Sequence, residues 1–313
     1  MAARPPVPSA HQPAATDCRN TWIGCYRTVI RHRAPSILLR RVTKQSVARS
    51  VLHSLIDQKV GAMEEHPKQS VAAIEVVAPG TQNDKETKAY SIGTLVRNRE
   101  KYEAMRDTFL NNGFSGQDCE YLFVDNTREG EQTSAYRGLN AILNAAHGTY
   151  VILCHQDVQI ITDNRTVLDD RLAEMDRIDP NWAVVGNAGC NGLGEVFMRI
   201  TDPYEKDQHR GSLPAKVVSL DEKFIVARRD ARLAFSNDLC GFHFYGTDIC
   251  LNADVRGYTA YVINFHLKHL SGGKLNDEFY KAKEVFKDKW TKALRRRSIK
   301  TTCTELFYLD GGS

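Results

Sequence analysis

Tyr150-Val151-Ile152-Leu153-Cys154-His155-Gln156-Asp157-Val158 is the stretch on which the fold turns. Five residues suited to a buried strand run directly into a short polar segment that carries one carboxylate. A buried strand that stops at an Asp delivers that carboxylate to the carboxyl edge of its sheet. In open α/β sheets, ligands bind in the crevice outside those edges. An Asp in that position can hold a divalent cation when a second ligand arrives from elsewhere in the chain. His269, within Phe265-His266-Leu267-Lys268-His269-Leu270-Ser271-Gly272-Gly273, is the expected partner. The plainer alternative makes Asp157 a turn cap and His269 a surface histidine.

Upstream, the pattern is regular from Ala89. Tyr90 to Val96 reads as a strand. Glu100 to Leu110 reads as a helix with Tyr102, Met105, Phe109 and Leu110 on one stripe, stopped by Asn111-Asn112-Gly113. Tyr121 to Val124 is a short buried strand ending at Asp125-Asn126. Ser134 to Ala146 is a second amphipathic helix, with Ala135, Leu139, Ile142, Leu143 and Ala146 inward. Strand-helix-strand-helix-strand at this spacing implies right-handed crossovers and a parallel sheet. The first strand ends in Val96-Arg97-Asn98-Arg99, without Gly-x-Gly-x-x-Gly, and the chain has no Walker loop. A dinucleotide dehydrogenase and a P-loop enzyme are therefore disfavoured.

Downstream, short strands are expected at Ala183–Val185, Glu195–Ile200, Val217–Leu220, Phe224–Ala227 and Tyr258–Phe265. The run Ile249 to Val255 has helical spacing, which puts Asp248 at or near a helix N-terminus. An ionised carboxylate is favoured there, so an N-cap role stands beside a functional one. Phe242, Phe244 and Tyr245 read as core or as a platform for a sugar ring.

Composition fits a soluble globular protein: 313 residues, 42% hydrophobic, 26% charged, a length that allows one large domain or two small ones. The apolar runs fall short of the roughly 20 residues a membrane span needs, and no secretory signal is expected. The cysteines form no Cys-x-x-Cys pair, Cys154 and Cys250 read as small core residues, and a reducing cytoplasmic compartment fits. The net charge of +4 is unevenly spread. Cys18 to Ile56 carries Arg19, Arg27, Arg31, Arg33, Arg40, Arg41, Lys44 and Arg49 with no acid, and a second basic cluster spans Lys287 to Lys300. Such clusters can touch anionic membrane or nucleic acid, or simply be solvated. Residues 1–16 read as disordered, Ser46 to Ile56 as an amphipathic helix, and Ala78 to Lys85 as a linker. An organelle transit peptide is a further reading of the basic segment.

Taken in order, these motifs resemble a family 2 glycosyltransferase of the GT-A fold over Ala89 to about Trp290. The resemblance rests on Asn98-Arg99-Glu100, Val124-Asp125-Asn126-Thr127, His155-Gln156-Asp157 in the place of an Asp-x-Asp, Leu220-Asp221-Glu222, Phe242 to Leu251, and His269-Leu270-Ser271-Gly272-Gly273. It implies an α/β fold: a Rossmann-like nucleotide-binding half with a mixed central sheet, plus an acceptor-binding half. Domain limits on this reading are 1–88 for a basic, Pro-rich extension, 89–290 for the transferase and 291–313 for a basic tail. The implied chemistry is transfer of a sugar from a nucleotide-sugar donor to an acceptor hydroxyl with inversion. Asp157 and His269 would hold Mn²⁺ or Mg²⁺. Arg97, Asn98, Asp125, Asn126 and Gln156 would hold the donor. Asp248 would be the base, and Asp221, Glu222 and His243 would line the acceptor side. The acceptor would be a glycan, a lipid-linked molecule or a protein. His155 replaces the first acid of the motif, and Tyr245-Gly246-Thr247 stands where the family carries Glu-Asp.

Three other classes remain: a sugar-nucleotide nucleotidyltransferase, a catalytically impaired carbohydrate- or nucleotide-binding protein of the same fold, and a nucleic-acid binder. The first usually has a Gly-rich basic loop after strand one, which is missing. The last has no zinc-finger or RNA-recognition signature behind it, so no nucleic-acid partner is expected.

Overall fold

The computed structural model describes residues 76–77 and 88–310, apart from Gln117, Glu205, Lys206 and Lys274. These belong to one compact unit, Ser70–Ser313. The expectations for residues 1–16, for the helix at Ser46–Ile56 and for the linker at Ala78–Lys85 lie outside the described residues.

The central sheet has eight strands: β1 (Val76–Val77), β2 (Lys88–Val96), β3 (Cys119–Asp125), β4 (Gly148–Cys154), β6 (Trp182–Gly186), β10 (Ala215–Val217), β12 (Phe224–Arg228) and β13 (Thr259–Val262), in the order β1-β3-β2-β4-β12-β6-β13-β10. Strands β3, β2 and β4 run parallel, and so do β6 and β13. Strand β12 lies between β4 and β6, antiparallel to both. The central sheet is therefore mixed, in an α/β fold.

Successive residues of each strand face opposite sides of the sheet, and each side has its own helices. Leu95, Val151, Leu153, Ile225 and Ala227 pack with Tyr136, Leu139 and Ile142 of α2 (Ala135–Ala145) and Ile249, Cys250 and Ala253 of α4 (Tyr245–Asp254). Ile92, Val96, Ile152, Cys154, Phe224 and Val226 pack with Tyr102, Met105 and Phe109 of α1 (Arg99–Asn111) and Leu168, Leu172 and Met175 of α3 (Arg165–Ile178). Each fully buried side chain of this size is worth about 1.5–3 kcal/mol, so both faces of the sheet are held by many independent contacts. Cys154 and Cys250 are core residues, and burial pushes both thiols up to about 12.

Helix α3 lies where no element is expected. Its signals are nonetheless local: Asn164 accepts from the Val167 N–H at 3.1 Å as an N-cap, and Leu168, Leu172 and Met175 recur at helical spacing. The final helix, α5 (Asp277–Ala293), runs past residue 290. Beyond it, β15 (Arg297–Ile299) and β16 (Phe307–Leu309) pair as a hairpin, so the basic tail carries regular structure.

A second sheet joins β11 (Ser219–Leu220), β7 (Ala188–Cys190), β8 (Val196–Thr201), β14 (Leu267–His269) and β5 (Val158–Ile160) in that order, with β9 (Asp207–Arg210) on β8. The expected strand Val217–Leu220 is thus split between sheets, because Val217 belongs to β10 and Ser219–Leu220 to β11. Tyr258–Phe265 is likewise shortened to β13. Three of the chain's crossings between the sheets, at β4–β5, β11–β12 and β13–β14, bring the site's residues to one seam.

Candidate active site

Two crossings are brought side by side by strand register. Phe224 of β12 pairs with Cys154 of β4, so Lys223 O accepts from His155 N at 3.0 Å. That places Asp221-Glu222-Lys223 next to His155-Gln156-Asp157. The third contribution comes from β14, antiparallel to β5, where His269 pairs with Val158. Leu270 N donates to Asp157 O at 3.0 Å, and His269 Nε2 lies 3.2 Å from Asp157 Oδ1. Residues 112 positions apart in sequence thus meet because one lies beside the end of a strand and the other on its partner.

His155, Asp157 and His269 each offer one ligand atom, all within 4.8 Å of one another. Asp157 is 8% and His269 3% exposed. Burial alone would raise the Asp157 carboxyl. Hydrogen bonds from His269 and Ser271, with the charges of the two imidazoles, outweigh it and hold the group below the usual carboxylate range. Burial and the neighbouring His269 push His155 down to about 4, so its imidazole is neutral at pH 7. His269 Nδ1 is buried without a hydrogen-bond partner. The nitrogen that faces the carboxylate is Nε2, and a ring nitrogen and a carboxylate oxygen this close can share one ion. The donor set therefore fits a divalent cation.

The triad borders a crevice of about 810 Å³, open solvent space included, which is lined by Arg97, Gln156, Glu222 and Phe242 among others. Gln156 Oε1 accepts from both Arg97 N–H and Asn98 N–H at 2.8 Å, tying the end of β4 to the end of β2. Arg97 sits over the Phe242 ring at 5.9 Å. Asn98 caps α1 by accepting from Lys101 N–H. Asp125 accepts from the hydroxyl and N–H of Thr127 and pairs with Arg99 at 2.7 Å, which together hold its carboxyl down at about 2.

The geometry removes Asn126 and Asp248 from their expected roles and gives His243 and Asp221 partners of their own. Asn126 is buried, and its amide both donates to Thr133 O and accepts from Thr133 N–H at 2.9 Å. It closes its own loop and has no side-chain group left for a donor. Asp248 is fully buried within the first turn of α4, neither an N-cap nor at the crevice. Its oxygens accept from Ser236 N and Oγ at 2.7 Å, Trp290 Nε1 at 3.0 Å and Asn252 Nδ2 at 3.1 Å. A carboxylate surrounded by committed donors cannot reach an acceptor hydroxyl, so Asp248 is an anchor for α5 and not the base. The His243 ring packs on Phe279 of α5, with ring centres 5.3 Å apart. Asp221 caps its own turn through Lys223 N–H and pairs with the Lys223 ammonium at 3.3 Å.

Glu222, like Asp157, lines the crevice. Burial, then the charge of Asp221, raises the Glu222 carboxyl to about 8, against the opposing pull of the N–H groups of Tyr245, Gly246 and Phe244 at the start of α4. Gly246 permits this approach, since a Cβ there would meet Leu220 O at 2.3 Å and Glu222 Cγ at 3.2 Å. Phe244, the N-cap of α4, is left-handed at φ 67° and is clamped between Phe279 and Phe286 of α5. Its strained backbone is held by packing, a feature common at functional sites. Gly246 and Phe244 carry no signal of these roles in the sequence.

The fold is α/β with a mixed central sheet, and the candidate site lies along its seam with the second sheet. No family model matches the chain. The protein "ATP synthase subunits region ORF 6" of Fuscovulum blasticum is 33% identical over 213 residues, 66% of this chain and 85% of that protein. The chain belongs to the family of that protein. Among solved structures, S. aureus TarS 1-349 in complex with UDP-GlcNAc is 13% identical, with a TM-score of 0.45 over 64% of this chain and 66% of that one. Mannosyltransferase PcManGT from Pyrobaculum calidifontis, in complex with GDP-Man and Mn2+, is 13% identical, with a TM-score of 0.45 over 80% of this chain and 74% of that one.

Asp248→Ala is expected to destabilise the protein by about 3–5 kcal/mol, because several buried donors lose their acceptor at once. Asp248→Asn keeps one carbonyl acceptor and should cost less. Urea unfolding of the two variants checks the order; an Asp248→Ala variant as stable as wild type would contradict the anchoring role.

Proposed function

We propose that this chain is an inverting, hexosyltransferase-like glycosyltransferase of family 2, moving a sugar from a nucleotide-sugar donor to an acceptor hydroxyl. The observation that carries the reading is the convergence of Asp157 and His269 at the mouth of a crevice, 3.2 Å apart and buried. Asp157 and His269 would hold Mn²⁺ or Mg²⁺. When bound, such an ion supplies Lewis acidity toward the leaving diphosphate. Arg97 brings a fixed positive charge and a cation–π contact with Phe242 to the donor side. The backbone at Arg97 and Asn98, held by Gln156, and the carboxylate of Asp125 at the end of β3 complete the donor-binding set. On this reading residues 89–290 carry the chemistry, while 1–88 and 291–313 stand outside it.

Glu222 takes the base role in place of Asp248. The anomeric carbon–oxygen bond to the diphosphate breaks, the acceptor oxygen bonds to the opposite face of that carbon, and the hydroxyl proton passes to Glu222. A positioned carboxylate contributes roughly 10²–10⁴-fold to such a step. A group near pKa 8 is a stronger base than an ordinary carboxylate, but only its ionised fraction acts, about one in a hundred at pH 6.

Titration calorimetry with a panel of nucleotide sugars in Mn²⁺ tests donor binding. A donor should bind wild type and lose at least tenfold in affinity with Asp157→Ala at unchanged melting temperature. Equal affinity in the variant would contradict the metal role.

The pH–rate profile tests Glu222. Transfer should rise about tenfold per pH unit up to about 8 and then level off. Glu222→Gln should lower transfer about 10²-fold or more and flatten the acidic limb. The sign for stability is opposite: a carboxyl whose folded pKa is raised from 4.5 to about 8 stabilises the fold most below 4.5 and loses that contribution as pH rises toward 8. Glu222→Gln should remove that slope from urea unfolding measured between those limits.

Peripheral contact with anionic membrane, of the kind a lipid-linked acceptor would bring, belongs to the same proposal. The hairpin exposes Leu306, Phe307, Tyr308 and Leu309 beside Arg295, Arg296 and Arg297. Among the described residues no helix is long and apolar enough to cross a membrane. The full chain should sediment with vesicles containing phosphatidylserine at low salt and be released at high salt. Replacing the three arginines with Ser should weaken sedimentation, and unchanged sedimentation would remove the hairpin from this role.

A further inference from the structure

His155 stands where the resemblance places an acid, and its hydrogen bonds fix which of its nitrogens is free. Tyr245 Oη has one proton and lies 3.1 Å from Glu222 O, a carbonyl that can only accept. The phenol proton therefore goes to that carbonyl. Tyr245 Oη also lies 2.7 Å from His155 Nε2, so it accepts there, and Nε2 carries the imidazole proton. With the ring proton on Nε2, Nδ1 is the nitrogen that offers a lone pair. No hydrogen bond to it is found among the described residues. A ring N–H fixed on a hydrogen-bond partner, with the other nitrogen bare, is the arrangement by which proteins orient a metal-ligating histidine.

The other two donors complete the set. Asp157 Oδ1 and His269 Nε2 are 3.2 Å apart. Two atoms each about 2.0–2.2 Å from one ion at a right angle lie about 3 Å apart, so this pair already spans one edge of a coordination polyhedron. The His155 and His269 rings are 5.6 Å apart at their centres, and one ligand atom from each of the three residues lies within 4.8 Å of the other two. Backbone pairing holds all three: Leu270 N donates to Asp157 O. His155 N is bonded to Lys223 O, and His269 is paired with Val158.

We propose that His155 Nδ1 is the third protein ligand of this site and that the resulting two-imidazole, one-carboxylate set selects a first-row transition ion over Mg²⁺. The inference rests on the metal role of Asp157 and His269 and deepens it. Imidazole is a softer donor than carboxylate and suits transition ions, whereas Mg²⁺ prefers oxygen ligands and keeps its waters. An Asp in place of His155 would shift the set toward oxygen, so this one position sets the choice of ion. Tyr245 acts as a positioning residue by holding the tautomer.

The test uses the full chain and metal alone. Co²⁺ is titrated while its visible d–d absorption is followed, a signal that reports ligation and needs no turnover. Wild type should bind Co²⁺ stoichiometrically. Zn²⁺ or excess Mn²⁺ should displace it, and a hundredfold excess of Mg²⁺ should not. His155→Ala should weaken Co²⁺ binding at least tenfold and change the spectrum. Tyr245→Phe should weaken it by roughly tenfold or more. His155→Asp should retain a bound ion and allow Mg²⁺ to compete. Melting curves accompany each variant, and the wild-type Mg²⁺ competition decides the selectivity even if His155→Ala does not fold. Displacement of Co²⁺ by equimolar Mg²⁺ would overturn the inference, as would an unchanged spectrum in folded His155→Ala. If wild type and Asp157→Ala both fail to bind Co²⁺, or bind it equally, the metal role of Asp157 fails as well. Loss in Asp157→Ala with retention in His155→Ala would sink only the role of His155.

Discussion

The antiparallel insertion of β12 between β4 and β6 is the constraint on which the rest depends. In a purely parallel sheet the segment before a strand lies at the opposite edge from the segment after its neighbour. Reversing β12 puts residues 221–223, which precede it, beside residues 155–157, which follow β4. The Phe224–Cys154 pairing sets that register. A slip of one residue would turn every side chain of β12 to the other face. It would also pull Ile225 and Ala227 out of the layer under α2 and α4, so the core itself enforces the register of the site. The same seam carries β5 against β14, and that pairing delivers His269.

Helix α4 serves the site through its N-terminus, and the body of the helix is devoted to holding that end in place. The helix dipole favours an anion at this position, and Glu222 occupies it, yet burial keeps its carboxyl near 8. Desolvation therefore outweighs the helix and its N–H groups. Burial raises the carboxyl of Asp248, one turn along, as well. Its donors come from Ser236, Asn252 and Trp290, so a buried carboxylate there ties α5 to the domain. Two carboxylates near the same helix end thus have separate tasks, decided by which donors face them.

Much of the fold was legible because it follows from periodicity. The β2-α1-β3-α2-β4 half emerges from alternating and helical apolar spacing within a residue or two of its ends. The sheet edge at Asp157 follows from the strand that precedes it. What periodicity does not encode is side-chain pairing. Nothing local marks Asn126 as bound to Thr133, or Asp248 as bound to a tryptophan 42 residues away. Both looked functional because polar residues at strand and helix ends often are. The strand expected at Val217–Leu220 is broken between two sheets because a change of sheet leaves the apolar pattern intact. His269 was recoverable only as a residue type that suits a carboxylate, and its meeting with Asp157 is a product of β-pairing between distant segments.

The central claim is that the seam formed by the ends of β4, β11 and β14 is a cation-assisted site for a nucleoside diphosphate. Crystals grown with Mn²⁺ and a nucleoside diphosphate, with anomalous scattering recorded at the manganese edge, address it most directly. The account predicts one anomalous peak about 2.0–2.3 Å from the Asp157 carboxylate and from an imidazole of His269, with the diphosphate on the crevice side of that ion. A bound nucleotide elsewhere, or an anomalous peak with no contact to Asp157, would contradict it.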